Sequence, residues 1–189
     1  YVVFATTDRT KPRAKTAFLV DARTPGVQFL RPLVMSAPHP LGEIGFHDCR
    51  VPASARIGAE GDGLKLALST LDRLRATVGA AACGMAARAL DEAIAHARSR
   101  RQFGKPLAEQ QLVQDRIARM AIALRASRLL VYAAAWEKDQ GAERQALESG
   151  MAKAFATEAA QTVIDDAVQI HGGRGVLTLR DHERVAEAV

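Results

Sequence analysis

Two hydrophobic periods divide the chain. Up to about residue 62, short runs of β-branched, aromatic and aliphatic residues are separated by Pro, Gly and Asp: Tyr1–Ala5, Thr16–Val20, Gly26–Leu30 and Glu43–His47. Within the last run Ile44 and Phe46 alternate with Glu43, Gly45 and His47, the period of two expected of a half-buried strand. Every proline except Pro106 falls in this part. A few short strands cannot close a stable sheet alone, so the segment reads as part of a larger β domain.

From Leu64 the period becomes helical. Leu71, Leu74, Val78, Ala82, Met85 and Ala89 predict one apolar stripe on a helix reaching about Arg98, on the order of 50 Å long at about 1.5 Å per residue. Gly79 and Gly84 lie inside it. Each costs about 1 kcal/mol relative to Ala in a helix, which predicts a compensating close approach by a neighbouring helix. Pro106 suits the first position of a second helix, with Val113, Ile117, Met120, Leu124 and Val131 as its stripe and an end near Gly141. Met151, Phe155, Ala159, Val163, Ala167 and Ile170 predict a third, ending at Gly172. A further element starts at Thr178. Three long helices and the start of a fourth predict a mainly α fold, an antiparallel up-down bundle preceded by a partial β domain. The segment between the two periods, Gly58-Ala59-Glu60-Gly61-Asp62-Gly63, lacks the Lys-Ser/Thr of a phosphate loop and reads as a turn.

Composition narrows the function. The chain has 189 residues, 48% hydrophobic and 25% charged, an ordinary globular balance. Only 5% is aromatic, so the core must be small and aliphatic, which favours close helix–helix packing. The net charge of +5 is spread along the chain. It biases the protein weakly toward anionic ligands, and without a basic stripe interleaved with aromatics it does not point to nucleic acid. No apolar run approaches the ~18 residues of a membrane span. Cys49 and Cys83 have no metal-ligand spacing and read as reduced thiols of a cytoplasmic-type protein. Tyr1 stands inside a strand pattern, so the natural N-terminus is expected to be missing and no targeting signal is read.

Chemistry concentrates in two breaks between helices. Arg98-Ser99-Arg100-Arg101-Gln102-Phe103-Gly104-Lys105-Pro106 gathers basic residues, an amide and an aromatic. It is either a solvated basic linker or a dinucleotide clamp. In the clamp Arg100 meets a diphosphate, Gln102 adds a hydrogen bond and Phe103 stacks on an adenine. The aromatic between Gln102 and Gly104 favours the clamp. Gln110 and Gln111 open the next helix, where free N–H groups and the dipole attract anions. Gln169-Ile170-His171-Gly172-Gly173-Arg174-Gly175 is either a helix C-cap or a stretch of backbone lying against a ligand. Asp72 and Arg75, three residues apart, either pair on the helix surface or face a polar ligand. A di-iron bundle would need two Glu-x-x-His pairs; Glu92 and His96 are four apart and no second pair exists, so they read as a solvated surface pair.

These segments in order resemble the acyl-CoA dehydrogenase family of flavoproteins. Val51-Pro52 leads through Gly58, Gly61 and Gly63 to Leu71-Asp72-Arg73-Leu74-Arg75; an Arg-x-Gln-Phe-Gly-x-Pro-Leu loop and a Gln-x-x-Gly-Gly-x-Gly loop follow. The resemblance implies that residues 1–62 are the C-terminal half of a middle β domain and 63–189 an incomplete C-terminal helical domain. It implies FAD held by Arg100, Gln102, Phe103, Gln110 and Gln111, with Gln169, Ile170, His171, Gly172 and Gly173 reaching the FAD of a neighbouring subunit in a dimer or tetramer. Asp72 and Arg75 would lie by an acyl-CoA. The implied reaction is α,β-dehydrogenation of the thioester, with electrons passed to an electron-transfer flavoprotein. The family's usual catalytic glutamate lies beyond the last loop and is not reached before Val189. The alternative position in the first helix is Leu74, which cannot take a proton. No catalytic residue is therefore named, and the 189 residues alone are expected to be inactive. Arg174 and Val176 stand where an aromatic is common. Two other classes stay open: a non-catalytic flavoprotein homologue and a structural oligomerisation bundle.

Overall fold

The structure, a computed structural model, describes residues 1–35, 39–142 and 145–177. The element expected from Thr178 lies outside the described residues. Contacts divide the chain into two compact units, Tyr1–Thr70 and Leu71–Val189.

The first unit is built from short antiparallel strands. β1 (Val2–Thr6), β2 (Lys15–Leu19) and β5 (Arg56–Ile57) form one sheet in the order β1-β2-β5, and β3 (Val27–Pro32) pairs with β4 (Gly42–Phe46). The expected strands are present, shifted by a residue or two. Thr16 is fully buried, and its hydroxyl hydrogen-bonds Thr7 Oγ1 at 2.8 Å and accepts from the Gly61 N–H at 3.0 Å. That pins the Gly58–Gly63 turn to β2. Gly58 and Gly61 have φ of 76° and 86°, which only glycine adopts cheaply. Apolar side chains stay exposed, among them Phe29 (61%) on β3 and Phe4 (44%) on β1.

The second unit is helical. α1 (Gly63–Ser99) runs on from the first unit; α2 (Gln111–Asp139) and α3 (Ala146–His171) follow. Their shared core holds Ala82, Ala86, Leu90, Ala93 and Ala97 of α1, Met120, Leu124, Val131 and Ala134 of α2, and Ala152, Ala156, Ala160, Val163, Ala167 and Ile170 of α3. The α2 stripe is the expected one. The α1 stripe is so only in part: Ala82 is in the core and Ala89 packs against it, but Leu71, Leu74, Val78 and Met85 are about half exposed, and the rest of the buried face is the alanine-rich one beside them. In α3 the first half slips by one position, so Ala152 and Ala156 are buried and Met151 and Phe155 exposed. Small residues win these faces because they let helix axes approach, and close-packed backbone gains more dispersion than a larger side chain held between separated helices.

The close approach expected at Gly79 is present. A Cβ there would stand 2.9 Å from Val131 Cγ2 and 3.2 Å from the Ala152 carbonyl oxygen. At Gly84 it is absent, with nothing within 4 Å. Gln145, buried just before α3, donates from Nε2 to the Ala134 carbonyl at 2.7 Å and ties that helix start to α2. Cys83 is buried in the core; burial pushes its thiol up, with Arg128 opposing. Among the described residues no helix is long and apolar enough to cross a membrane.

Candidate functional site

Pro106 does not open α2. The break after α1 folds into a small hairpin, β6 (Arg101–Gln102) against β7 (Lys105–Pro106). A single 3-10 turn, Leu107–Glu109, then precedes α2. The Leu107 N–H donates to the Arg100 carbonyl at 2.8 Å and closes the hairpin's base. Its two-residue tip is Phe103-Gly104, with φ of 53° and 81°. Two successive positive φ values are the pattern of a type I′ turn, which suits Gly at the second position but is costly for an aromatic at the first. The side chain so placed is 93% exposed. Arg101 Nη2 donates to the Gly104 carbonyl at 3.0 Å and braces the tip. Among the described residues Arg98, Arg100, Arg101, Lys105 and Arg174 form no ion pair.

The hairpin delivers the chain to the N-terminus of α2. Gln110 occupies the cap position without a side-chain capping bond. Its Nε2 is buried and has no hydrogen-bond partner among the described residues. A buried amide donor left unpaired costs about 1–3 kcal/mol, so this one marks a place where an acceptor belongs. Gln111 is the first, exposed residue of the helix.

At the same end of the bundle α3 finishes. Gln169 is exposed, Ile170 buries its side chain in the core and can offer only backbone outward, and His171 is half-buried. Gly172 has φ of 61° and opens a 3-10 turn, Gly172–Val176. A Cβ on Gly172 or Gly173 would meet nothing within 4 Å, whereas one on Gly175 would strike the Val168 carbonyl oxygen at 2.5 Å. Only Gly175 is therefore required by the chain's own packing; Gly172 is required by its φ.

His96 joins the two segments. Its ring stacks on His171, centroids 4.4 Å apart and planes 23° from parallel. His171 Nδ1 is 2.8 Å from the Ala167 carbonyl, which can only accept, so Nδ1 carries the hydrogen. Both rings sit in the last turn of a helix, where the dipole favours positive charge. Burial, His171, Arg174 and Arg100 outweigh it and hold the His96 imidazole below its usual value. The expected surface pair of Glu92 with His96 does not form: Glu92 bonds Arg88 at 2.6 Å instead. Sequence reasoning set His96 aside with that pair and gave Arg174 no role. The signal was there, since His96 lies one helical turn before Arg100 on the same face.

Arg100, Gln102, Phe103, Gln110, Gln111 and Gln169–Gly173 thus share one end of the bundle. Asp72 and Arg75 do not. They pair with each other at 2.8 Å, partly shielded, near the other end of α1. The helix between Arg75 and Ser99 separates the two groups by about 36 Å at about 1.5 Å per residue.

Residues 61–189 match the family described as acyl-CoA dehydrogenase, C-terminal domain. The L-prolyl-[peptidyl-carrier protein] dehydrogenase of Pseudomonas fluorescens is 40% identical over 181 residues, covering 93% of this chain and 47% of that protein. The butyryl-CoA dehydrogenase structure from Megasphaera elsdenii superposes with a TM-score of 0.90 at 38% identity, covering 94% of this chain and 47% of that one. The structure of PigA with FAD and proline gives 0.88 at 31% identity, covering 93% and 46%. The chain spans about half the length of the relatives it matches. On the family match and these identities, the chain belongs to the acyl-CoA dehydrogenase family.

Proposed function

We propose that this chain supplies the adenine–diphosphate half of an FAD site, and part of a thioester site, to an enzyme that dehydrogenates a thioester-bound acyl group between its α and β carbons. The observation that carries it is the His96–His171 contact, which joins the Arg100–Phe103 end of α1 to the Gln169–Gly173 end of α3, while the hairpin leads the chain to the α2 N-terminus. The residues there fit the cofactor. Arg100 offers a guanidinium fork to a diphosphate, Phe103 an exposed face to an adenine, and Gln110 an unpaired buried donor. Gln102, Gln111, Gln169, Ile170, His171, Gly172 and Gly173 complete the contacts, the glycines by letting backbone come close.

When bound, FAD supplies the acceptor for the β-hydrogen and its electron pair. This chain's residues bind and orient. Asp72 and Arg75, some 36 Å from the hairpin by helix length, sit by the acyl thioester. In this reading the cofactor site is shared between copies in a homo-oligomer. Residues 1–62 belong to a β domain and 63–189 to the C-terminal helical domain. No residue here is assigned as the α-proton base, because Leu74, at the first-helix position, has no acid. Electrons leave to an electron-transfer flavoprotein.

A second reading concerns the substrate's handle. The Pseudomonas relative is named for a prolyl group on a peptidyl-carrier protein, and the Megasphaera structure for butyryl-CoA. Both are thioesters. The test is the visible spectrum of the intact protein under anaerobic conditions, before and after adding acyl-CoAs and carrier-protein thioesters. Bleaching of an oxidised-flavin band by one class supports the reading and chooses the handle. A flavin band that no thioester bleaches supports a non-catalytic homologue. A folded protein without flavin refutes the cofactor assignment and leaves a structural bundle.

A further inference from the structure

We propose that His96 is a positioning residue: its neutral ring, stacked on His171, holds the Gly172–Val176 turn against the end of α1, and uptake of a proton by His96 releases that turn. The geometry has three parts. The rings are the contact between the last turn of α1 and the last turn of α3, at 4.4 Å and 23°. His171 is itself fixed, since Nδ1–H donates to the Ala167 carbonyl at 2.8 Å. The turn begins at the residue after His171, with the Gly172 N–H donating to the Gln169 and Val168 carbonyls of the same helix end and Leu177 N–H donating back to Arg174 at 3.3 Å. Moving His171 therefore moves the turn.

A charge on His96 has no counter-ion to meet. Among the described residues the charges bearing on it come from Arg100 on its own helix, His171 on α3 and Arg174 in the 3-10 turn, all of one sign; α2 contributes none. Glu92, one turn back, is engaged by Arg88. A proton on His96 would add a third cation to the surroundings of Arg100 and Arg174, with a second imidazole against its face. Burial acts in the same direction. The sign follows. A histidine held below its unfolded value contributes its contact fully above about pH 6.5, and the contribution is lost as pH falls through that value toward the folded one.

The consequence for the flavin rests on the cofactor reading above; the contact and its proton dependence do not. The test is hydrogen–deuterium exchange of the intact protein, following the peptide across Gly172–Val176 as a protection factor, which removes the intrinsic pH dependence of exchange. Protection is expected to fall severalfold between about pH 7.5 and about pH 5.5. His96→Phe keeps an aromatic face and cannot titrate, so it is expected to stay protected and flat across that range. His96→Ala removes the face and is expected to be unprotected throughout. An equal fall in wild type and His96→Phe, or full protection in His96→Ala at neutral pH, would overturn the proposal. Free-flavin fluorescence recorded on the same samples separates the two readings. Protection that titrates while flavin release does not would leave His96's role standing and count against placing the cofactor at this turn.

Discussion

Val131 Cγ2 lies 2.9 Å from the point that a Cβ on Gly79 would occupy. There the bare backbone of α1 meets the Val131 side chain of α2, with the Ala152 carbonyl of α3 3.2 Å from the same point. Val131 is 5% exposed and β-branched, so its methyl cannot swing away cheaply. Gly79→Ala should overpack the core at a cost of about 1–3 kcal/mol, offset by up to about 1 kcal/mol of helix propensity. The expected net is a loss of about 1 kcal/mol, read as a lower urea midpoint at unchanged slope. Gly84→Ala, with open space around it, should gain about 0.5–1 kcal/mol. Equal shifts in the two variants would refute the packing account.

The same pair of glycines shows how far sequence carried the fold. Both read alike in one dimension, as costly residues inside a helix. Only packing separates them, because burial depends on which face of α1 turns inward, and α1 offered two. Leu71, Leu74, Val78 and Met85 made the more hydrophobic part of the expected stripe, yet the buried face is alanine-rich and shares Ala82 with it. Where a stripe was unambiguous, as with Met120 and Leu124 on α2, the reading held. Pro106 failed for a local reason. Its fixed φ suits a strand end as well as a helix start, and the Phe103-Gly104 turn claimed it for the hairpin. At the site, residue types were legible from motif order, whereas the His96–His171 contact joins residues far apart in sequence and had no one-dimensional signal on the His171 side.

Arg116 and Asp166 bridge α2 and α3 at the rim of a cleft of about 530 Å³. Asp166 is the more buried, its side chain 19% exposed against 43% for Arg116. Partial burial raises the interaction above that of a free surface pair, and solvent on the arginine side limits it. A double-mutant cycle of Arg116→Met and Asp166→Asn should give a coupling of about 1 kcal/mol, reduced by high salt. Arg116→Met alone should cost more than Asp166→Asn, since it strands the less solvated charge. A coupling of zero at low salt would make the pair ornamental.

Phe103 carries a conformational cost that its fold does not need. A bulky residue at φ of 53° is disfavoured by about 1–2 kcal/mol relative to residues that tolerate left-handed backbone. Asn-Gly is the preferred pair for such a tip. Phe103→Asn should therefore leave thermal stability of the flavin-free protein unchanged or raised. It should also weaken flavin retention by about 1–3 kcal/mol, the usual worth of one base–aromatic stack. Measuring melting temperature and bound flavin on the same preparation checks both. A variant that loses stability but keeps its flavin would assign Phe103 to folding instead.

Gln110 poses the same opposition more sharply, because its cost is a missing bond instead of a strained angle. Its Nε2 is buried and unpaired, at the N-terminus of a 29-residue helix whose dipole already favours an anionic or electron-rich acceptor there. Gln110→Met keeps the length and removes the donor. Without flavin, relief of the unmade hydrogen bond should stabilise the protein by about 1 kcal/mol, the low end of the penalty for an unsatisfied buried group. With flavin, the variant should lose the acceptor's partner and bind it more weakly, so ligand-induced stabilisation shrinks while the unliganded baseline rises. The two melting curves, with and without added FAD, should therefore move toward each other. Curves displaced in parallel would mean that Gln110 touches no cofactor.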